Sequence, residues 1–368
     1  MGHTTEIYGP VQALINFSEK NTITFTSILH PLPQSAVVNS EYRVFLNGKY
    51  VKTESKKALG TMEGLSYFQH IVLNLFLICK NKNKYNLCIG IDAVNAVSGI
   101  ILRKLGFVDY VAFYVIDFTH KRFESFFLNS CYHFMDRYCV RHVNSVWNIS
   151  SRIARIRGLQ GVEKGKNLIV PVGVELEKIS AIPSRVVDRK NLVIVSHLTK
   201  SKGIDLVIEA MADVIKNVPD AKLEIIGTGP YEDALKVLVK NANLSKCVTF
   251  LGLMDHKRLL AYLPTRGIAL ATYLNDPNSI TYFADPTKPK EYLACGLPVI
   301  ITNVPWIAKA IGEKPMGIAI NYKKDELVAA IIKLLTNDHF FEKCKENARH
   351  FASDLSWDDV YKRAFLNL

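Results

Sequence analysis

The sequence predicts an α/β protein made of two doubly wound domains, each with a mainly parallel sheet. Three observations carry this. The chain has 368 residues, enough for two domains of common size with a core each. From about residue 190 onward, short apolar runs alternate with amphipathic stretches in the strand–helix–strand rhythm of a parallel sheet. A short helical stretch after Asp285 stops at Gly296 and runs straight into the apolar run Val299–Thr302, the glycine acting as a C-terminal cap.

Taken in order, Pro10–Glu19 reads as a helix with Pro10 at its first position, where the missing N–H costs nothing. The preceding segment, Thr4–Tyr8, is short and polar, so a first central strand there is weak or lost. Thr22–Ile28 reads as a strand, and Tyr42–Phe45 and Lys49–Lys52 as a hairpin around Asn47-Gly48. A buried helix Leu65–Cys79, strand Asn86–Ile91, helix Ala93–Leu105, strand Tyr110–Ile116 and a long helical stretch Arg122–Val140 follow. In the second half the predicted strands are Asn191–Val195, Lys222–Ile226, Val248–Leu251, Gly267–Ala271, Val299–Thr302 and Gly317–Ile320. Helices Ile204–Asn217 and Tyr231–Ala242 lie between the first of them.

Composition narrows the class. Hydrophobic content of 49% with 22% charged residues is ordinary globular composition. Seven cysteines, with no Cys-x-x-Cys pair and no zinc spacing, argue against a disulfide framework or metal cluster and fit a reducing cytoplasm. No leader resembles a signal peptide, and the apolar run Ile71–Cys79 is too short to span a bilayer. The net charge of +12 fits an anionic membrane surface or phosphorylated substrates. No nucleic-acid-binding motif accompanies it, so nucleic acid is not expected as a partner.

The densest stretch is Asp285-Pro-Thr-Lys288-Pro-Lys-Glu291-Tyr-Leu-Ala-Cys-Gly296-Leu-Pro298-Val. Lys288 adds a full charge to the anion-attracting start of a helix, and Glu291 one turn on can accept ribose hydroxyls. The pair alone would also fit a surface helix with an i,i+3 ion pair. With its flanks, the run reads as a nucleoside-diphosphate site. It resembles the donor-site signature Lys-x-x-Glu-Tyr-(Leu/Met)-Ala-x-Gly-x-Pro-Val of retaining GT-B glycosyltransferases of the family 4, or group 1, type. Val170-Pro-Val-Gly-Val-Glu175 is similar to that family's interdomain segment, and Ser356–Phe365 to its terminal helix.

The resemblance implies two Rossmann-like domains facing a cleft. Residues 1–170 would bind the acceptor and 171–355 the nucleotide-sugar, with 356–368 a helix crossing back onto the first domain. It implies retaining transfer of a sugar from a nucleoside-diphosphate sugar to a glycan or lipid-linked acceptor. Such an enzyme needs no cofactor and would sit in the cytoplasm or peripherally on the inner face of the membrane. The absence of Asp-x-Asp, the metal element of the GT-A class, favours stabilising the leaving diphosphate with cations and helix dipoles rather than a metal.

Lys202 and Gly203 match the family's Gly-Arg-Leu-x-x-x-Lys-Gly, but Ser196 and His197 stand where its glycine and arginine would be. Lys202 and Lys288 are the expected catalytic cations. Ser196, His197, Gly229 of Gly227-Thr-Gly229-Pro230, Asp285 and Glu291 are the expected donor contacts, with Gly9 permitting close backbone approach in the first domain. Taken alone, Lys202 also fits a solvent-exposed lysine before a helix. The first carboxylate of the family's Glu-x7-Glu pair is replaced by Phe283. Asp285 belongs to a variant reading Asp-Pro-x-Lys-x-x-Glu-Tyr, and either contacts sugar hydroxyls or caps the following helix.

In the first half, Asp92 and Asp117 directly follow apolar strand runs. Each either handles the acceptor hydroxyl or caps a loop. Asp117 is the expected catalytic carboxylate, in place of the family's histidine, with His120 nearby. Residues Phe118–Arg157 interleave arginines with aromatics. They form either a surface for anionic lipid or a core with a solvated basic face. Two rivals to a transferase remain: a sugar-nucleotide epimerase of the same fold, and a non-catalytic nucleotide-binding protein, the latter suggested by His197 and Phe283.

Overall fold

The computed structural model describes residues 1–4, 8–31, 39–57, 63–180 and 188–368. It divides into two compact units, Met1–Val172 with Val360–Leu368, and Gly173–Asp359.

The second unit has one six-stranded sheet. In chain order its strands are β1 (Asp188–Val195), β2 (Lys222–Ile226), β3 (Val248–Gly252), β4 (Arg266–Ala271), β5 (Val299–Thr302) and β6 (Gly317–Ile320). They lie side by side as β3-β2-β1-β4-β5-β6, all parallel. All six runs read from the sequence are present.

The strands alternate with period two but are apolar on both sides, as a sheet covered on both faces requires. Leu192, Ile194, Leu223, Ile225, Ile268 and Leu270 share one core with Val207, Met211 and Val214 of the helix Ile204–Asn217. Val193, Ala269, Ala271, Val299 and Ile301 share the other with Tyr292 and Leu293 of the helix Thr287–Ala294. The order reverses between β1 and β4. That is the topological switch point, and the crevice outside the carboxyl ends of those strands is where doubly wound sheets bind ligands.

The first unit departs from the single doubly wound sheet expected. A parallel sheet of Tyr85–Ile91, Val108–Val115, Ser145–Asn148 and Asn167–Ile169 forms one half. The other half is mixed: Gly2–Thr4 runs parallel to Phe25–Pro31, which pairs antiparallel with Asn39–Leu46 and that with Lys49–Lys57. The Ile91 amide donates to the Met1 carbonyl at 2.9 Å, so the two halves meet there. The hairpin turns at Asn47 and Gly48, both at positive φ, as the Asn-Gly signal requires.

The first strand, Gly2–Thr4, starts before the polar segment Thr4–Tyr8, and residues 5–7 of that segment lie outside the described ones. So do residues 181–187 of the expected interdomain stretch. The helix expected from Arg122 begins only at Phe126, capped by the Ser125 hydroxyl, because Arg122 turns back to pair with Asp117. The strands Ser145–Asn148 and Asn167–Ile169 carry too short a pattern to have been read.

Residues Val360–Leu368 belong to the first unit. Tyr361 is fully buried, and its hydroxyl donates to the Pro10 carbonyl at 2.6 Å. Phe365 stacks on Phe17 at 5.6 Å and meets Trp147 edge-on at 5.9 Å. Tyr361→Ala should therefore cost the first unit about 3–5 kcal/mol, the range for truncating a buried aromatic. Urea unfolding followed by hydrogen exchange of the Val108–Val115 amides measures it; protection equal to that of the wild type would deny the tail its place in this core.

Candidate active site

Two loops leave the switch point and are knitted together by backbone geometry. Gly203 is left-handed, and a Cβ there would run into the Thr272 carbonyl oxygen. The Thr272 hydroxyl donates to the Gly203 and Lys202 carbonyls at 3.0 and 3.2 Å, and the Leu274 amide to the Ser201 carbonyl at 3.0 Å. The Tyr292 hydroxyl accepts from the Val195 amide at 2.8 Å, fixing the helix Thr287–Ala294 at the end of β1.

This framework presents Lys202. Its ammonium lies 3.2 Å from the Thr281 hydroxyl and 5.3 Å from the centre of the Tyr273 ring. It has no carboxylate partner among the described residues, and burial pushes its pKa below the ordinary lysine value. A cation partly removed from water in this way gains most from an arriving anion.

Lys288 is placed differently. It is bonded to Glu291 Oε2 at 2.7 Å and stays a third exposed. Glu291 is buried and also accepts from His256 Nε2 at 3.0 Å. Burial works to raise the Glu291 carboxyl, but the bonds from His256 and Lys288 outweigh it and hold the pKa below its usual value. A carboxylate has about four lone-pair sites, so two remain for ribose hydroxyls. Lys288 and Glu291 thus come together as read, with His256 added. No motif in the chain marks His256; its one signal is its place just after β3, at the carboxyl edge of the sheet.

Asp285 neither caps the next helix nor stands open to a sugar. The cap position is Pro286, without a side-chain bond. Both Asp285 oxygens are engaged, by Trp306 Nε1 at 2.7 Å and by the Lys290 ammonium, and both ions of that pair are fully buried. Burial pushes the Lys290 ammonium down against the pull of Asp285. Phe283 is buried too, so the side chain in place of the family's first glutamate is a packing residue.

The loops around Ser196 and Gly229 close on each other. A Cβ on Gly227, whose φ is +124°, would meet the Ser196 carbonyl, and one on Gly229 the Leu198 backbone. The two glycines admit protein backbone, where the sequence reading had Gly229 as a donor contact. The Ser196 hydroxyl donates to the His197 carbonyl at 3.1 Å. His197 Nδ1 donates to the Thr228 carbonyl at 2.8 Å, and the residue is otherwise exposed.

The remaining expected residues lie in the first unit. The Gly9 amide caps the helix Pro10–Lys20 and donates to Gln12 Oε1 at 3.2 Å. Asp117 is paired with Arg122, whose guanidinium sits 4.6 Å from the Tyr132 ring centre. Asp92, at the uncommon φ of 80°, caps the helix Ala93–Lys104 by accepting from the Asn95 amide at 3.0 Å. The His120 ring is exposed and packs edge-on to Phe118.

The segment that builds this geometry, residues 176–351, matches the family model Glycosyl transferases group 1. The second unit is a group 1 glycosyltransferase domain. Among curated relatives, the α-monoglucosyldiacylglycerol synthase of Streptococcus pneumoniae R6 is 27% identical over 240 residues, 55% of this chain and 53% of that protein. A phosphatidylinositol N-acetylglucosaminyltransferase component of Arabidopsis thaliana is 26% identical over 206 residues, 55% of this chain and 44% of that one. The chain thus spans about half the length of the curated relatives it matches. In fold, it is similar to Anabaena Alr3699/HepE in complex with UDP, with a TM-score of 0.73 at 12% identity over 99% of this chain and 97% of that one. The pneumococcal O-GlcNAc transferase GtfA, in complex with UDP and GlcNAc, aligns at a TM-score of 0.61 and 16% identity, over 89% of this chain and 69% of that one. The fold is that of the GT-B glycosyltransferases.

Asp285→Asn should lower stability by about 3–5 kcal/mol, because it removes the negative charge opposite a buried ammonium. At a temperature where the variant is folded, affinity for a nucleoside diphosphate should stay within about twofold of wild type. Denaturant unfolding and calorimetry measure the two; a large loss of affinity at unchanged stability would return Asp285 to the donor contacts.

Proposed function

We propose that the chain is a retaining glycosyltransferase that uses a nucleoside-diphosphate sugar without a metal and works on a lipid-linked or glycan acceptor at a membrane surface. The observation that carries this is Lys202, a half-buried ammonium with no carboxylate partner among the described residues, at the switch point of a group 1 domain. In the reaction, the bond from the anomeric carbon to the diphosphate oxygen breaks and its electron pair stays on the diphosphate. Lys202 meets that growing charge, Lys288 adds to it from the helix Thr287–Ala294, and Glu291 holds the ribose. The acceptor oxygen attacks from the face the diphosphate leaves, and its proton passes to the departing phosphate oxygen. Retention rests on the family resemblance.

UDP is the first nucleotide to try, since it is the ligand named for two neighbours in fold. Lys202→Ala should lower turnover by on the order of 100-fold or more, and Lys288→Ala should lower it as well, while activity survives EDTA. Sugar transfer to extracted lipid, with sugar-nucleotide hydrolysis and epimer formation followed alongside, is the assay. Wild-type rates in both variants, or an EDTA loss that magnesium or manganese restores, would overturn the cationic mechanism. Epimer formation without acceptor would make the protein an epimerase, and nucleotide binding with no turnover a non-catalytic binder.

The lipid side of the proposal rests on the helix Phe126–His142 and on relatives named for glycolipid synthesis. Phe118, Phe123 and Trp147 are core residues, but Phe126, Phe127 and Phe134 are 86%, 73% and 68% exposed. Phe126, Phe134, Arg137 and Arg141 fall at i, i+8, i+11 and i+15, one helical face. The helix's one acid, Asp136, is buried and held by both terminal nitrogens of Arg157 at 2.5 and 2.7 Å, so it does not offset the outer arginines. None of the described helices is long and apolar enough to cross a membrane. Such a face is suited to lie on anionic lipid.

Sedimentation with vesicles should show binding that rises with anionic lipid and falls with salt. It should weaken on charge reversal of Arg137 and Arg141, each basic residue contributing about 1 kcal/mol. Equal, negligible binding to neutral and anionic vesicles would remove the membrane from the proposal.

A further inference from the structure

The candidate site contains one histidine that no motif accounts for. His256 opens the helix His256–Tyr262, whose first turn is fixed by Asp255 accepting from the Arg258 amide at 2.9 Å. Its Nε2 faces Glu291 Oε1 at 3.0 Å, and its Nδ1 lies 3.5 Å from Glu175 Oε2. Glu175 is held in turn by Lys178 at 2.6 Å. The backbone beside it is locked: the Val174 amide donates to the Leu355 carbonyl at 2.9 Å, and Gly173 lacks the Cβ that would strike the Trp357 backbone at 2.8 Å. Lys178, Glu175, His256, Glu291 and Lys288 thus form one line of charged and polar groups across three segments of the second unit.

We infer that His256 is the positioning residue for ribose recognition, aiming the Glu291 carboxylate at the nucleotide's hydroxyls from a base set by Glu175. The inference rests on the reading of Glu291 as the ribose acceptor. A carboxylate on a flexible stem recognises a diol well only if both its rotamer and its lone pairs are fixed before the ligand arrives, and supporting hydrogen bonds fix them. Lys288 holds Oε2 from the same helix turn and moves with it. His256 holds Oε1 from a different element, so it fixes the carboxylate relative to the sheet. The partner on one ring nitrogen decides what the other presents, and Glu175 occupies the Nδ1 side.

The test is calorimetric affinity for UDP and 2′,3′-dideoxy-UDP, with GDP and 2′,3′-dideoxy-GDP as a second pair. Wild type should prefer the ribose form by roughly tenfold or more, as hydrogen bonds to a charged group imply. His256→Leu should shrink that preference to about twofold or less while leaving dideoxy affinity unchanged, which also reports a folded site. His256→Gln, which keeps a donor toward Glu291, should retain most of it, and is the variant that decides if the leucine form does not fold. A wild-type preference in His256→Leu, or its complete loss in His256→Gln with dideoxy affinity intact, would overturn the role of His256. Should Glu291→Gln also keep the full preference, the ribose reading of Glu291 falls, and the inference with it. Binding of neither pair to wild type would remove the donor site itself.

Discussion

A cation drawn partly out of water, with no carboxylate partner among the described residues, is the constraint on which this site turns. Lys202 reaches that state because the loop carrying it is pinned at both ends. Gly203 presses on Thr272, and Ser201 accepts from Leu274. Among the described residues the ammonium meets a hydroxyl and an aromatic ring, neither of which neutralises it. The surroundings lower its pKa through desolvation, so an incoming diphosphate is met by a charge that water has already partly given up. Lys288 is not equivalent, because Glu291 already holds its charge. Sequence alone made the two lysines look alike.

The second unit was legible because its physics is local and repetitive. Six apolar runs, period-two alternation with both faces apolar, and helices between them admit few arrangements, and the order found places the reversal at β1 and β4. The Lys288–Glu291 turn was legible for the same reason, since residues three apart on a helix meet. Asp285 was misread because its partners, Lys290 and Trp306, are brought to it by burial rather than by spacing. His256 was missed for a related reason: it bridges Glu175 and Glu291, 81 and 35 residues away in sequence, and no short pattern records such a triple.

The first unit shows what happens when the pattern is diluted. Three of its strands, Gly2–Thr4, Ser145–Asn148 and Asn167–Ile169, have only three, four and three residues, and strands of that length carry almost no periodicity. Asp117 was placed near a strand end, but Arg122 folds back onto it, and the loop this creates delays the next helix by four residues from the start expected. The basic, aromatic stretch divides along the helix face. Arg157 enters the core to pair with Asp136, while Arg137 and Arg141 remain outside with three phenylalanines. Composition could show only the sum.

The most direct measurement is the protonation of Lys202 itself, by titrating its side-chain 13Cε resonance with and without a nucleoside diphosphate. A group whose pKa is lowered by burial should titrate below the ordinary lysine value of 10.5 when the site is free, and above that free-site value once the diphosphate is bound, because the anion stabilises the charged form. Binding should accordingly be accompanied by proton uptake near the free-site pKa. A Lys202 that titrates identically with and without the nucleotide would contradict the claim that its ammonium is the charge the diphosphate meets.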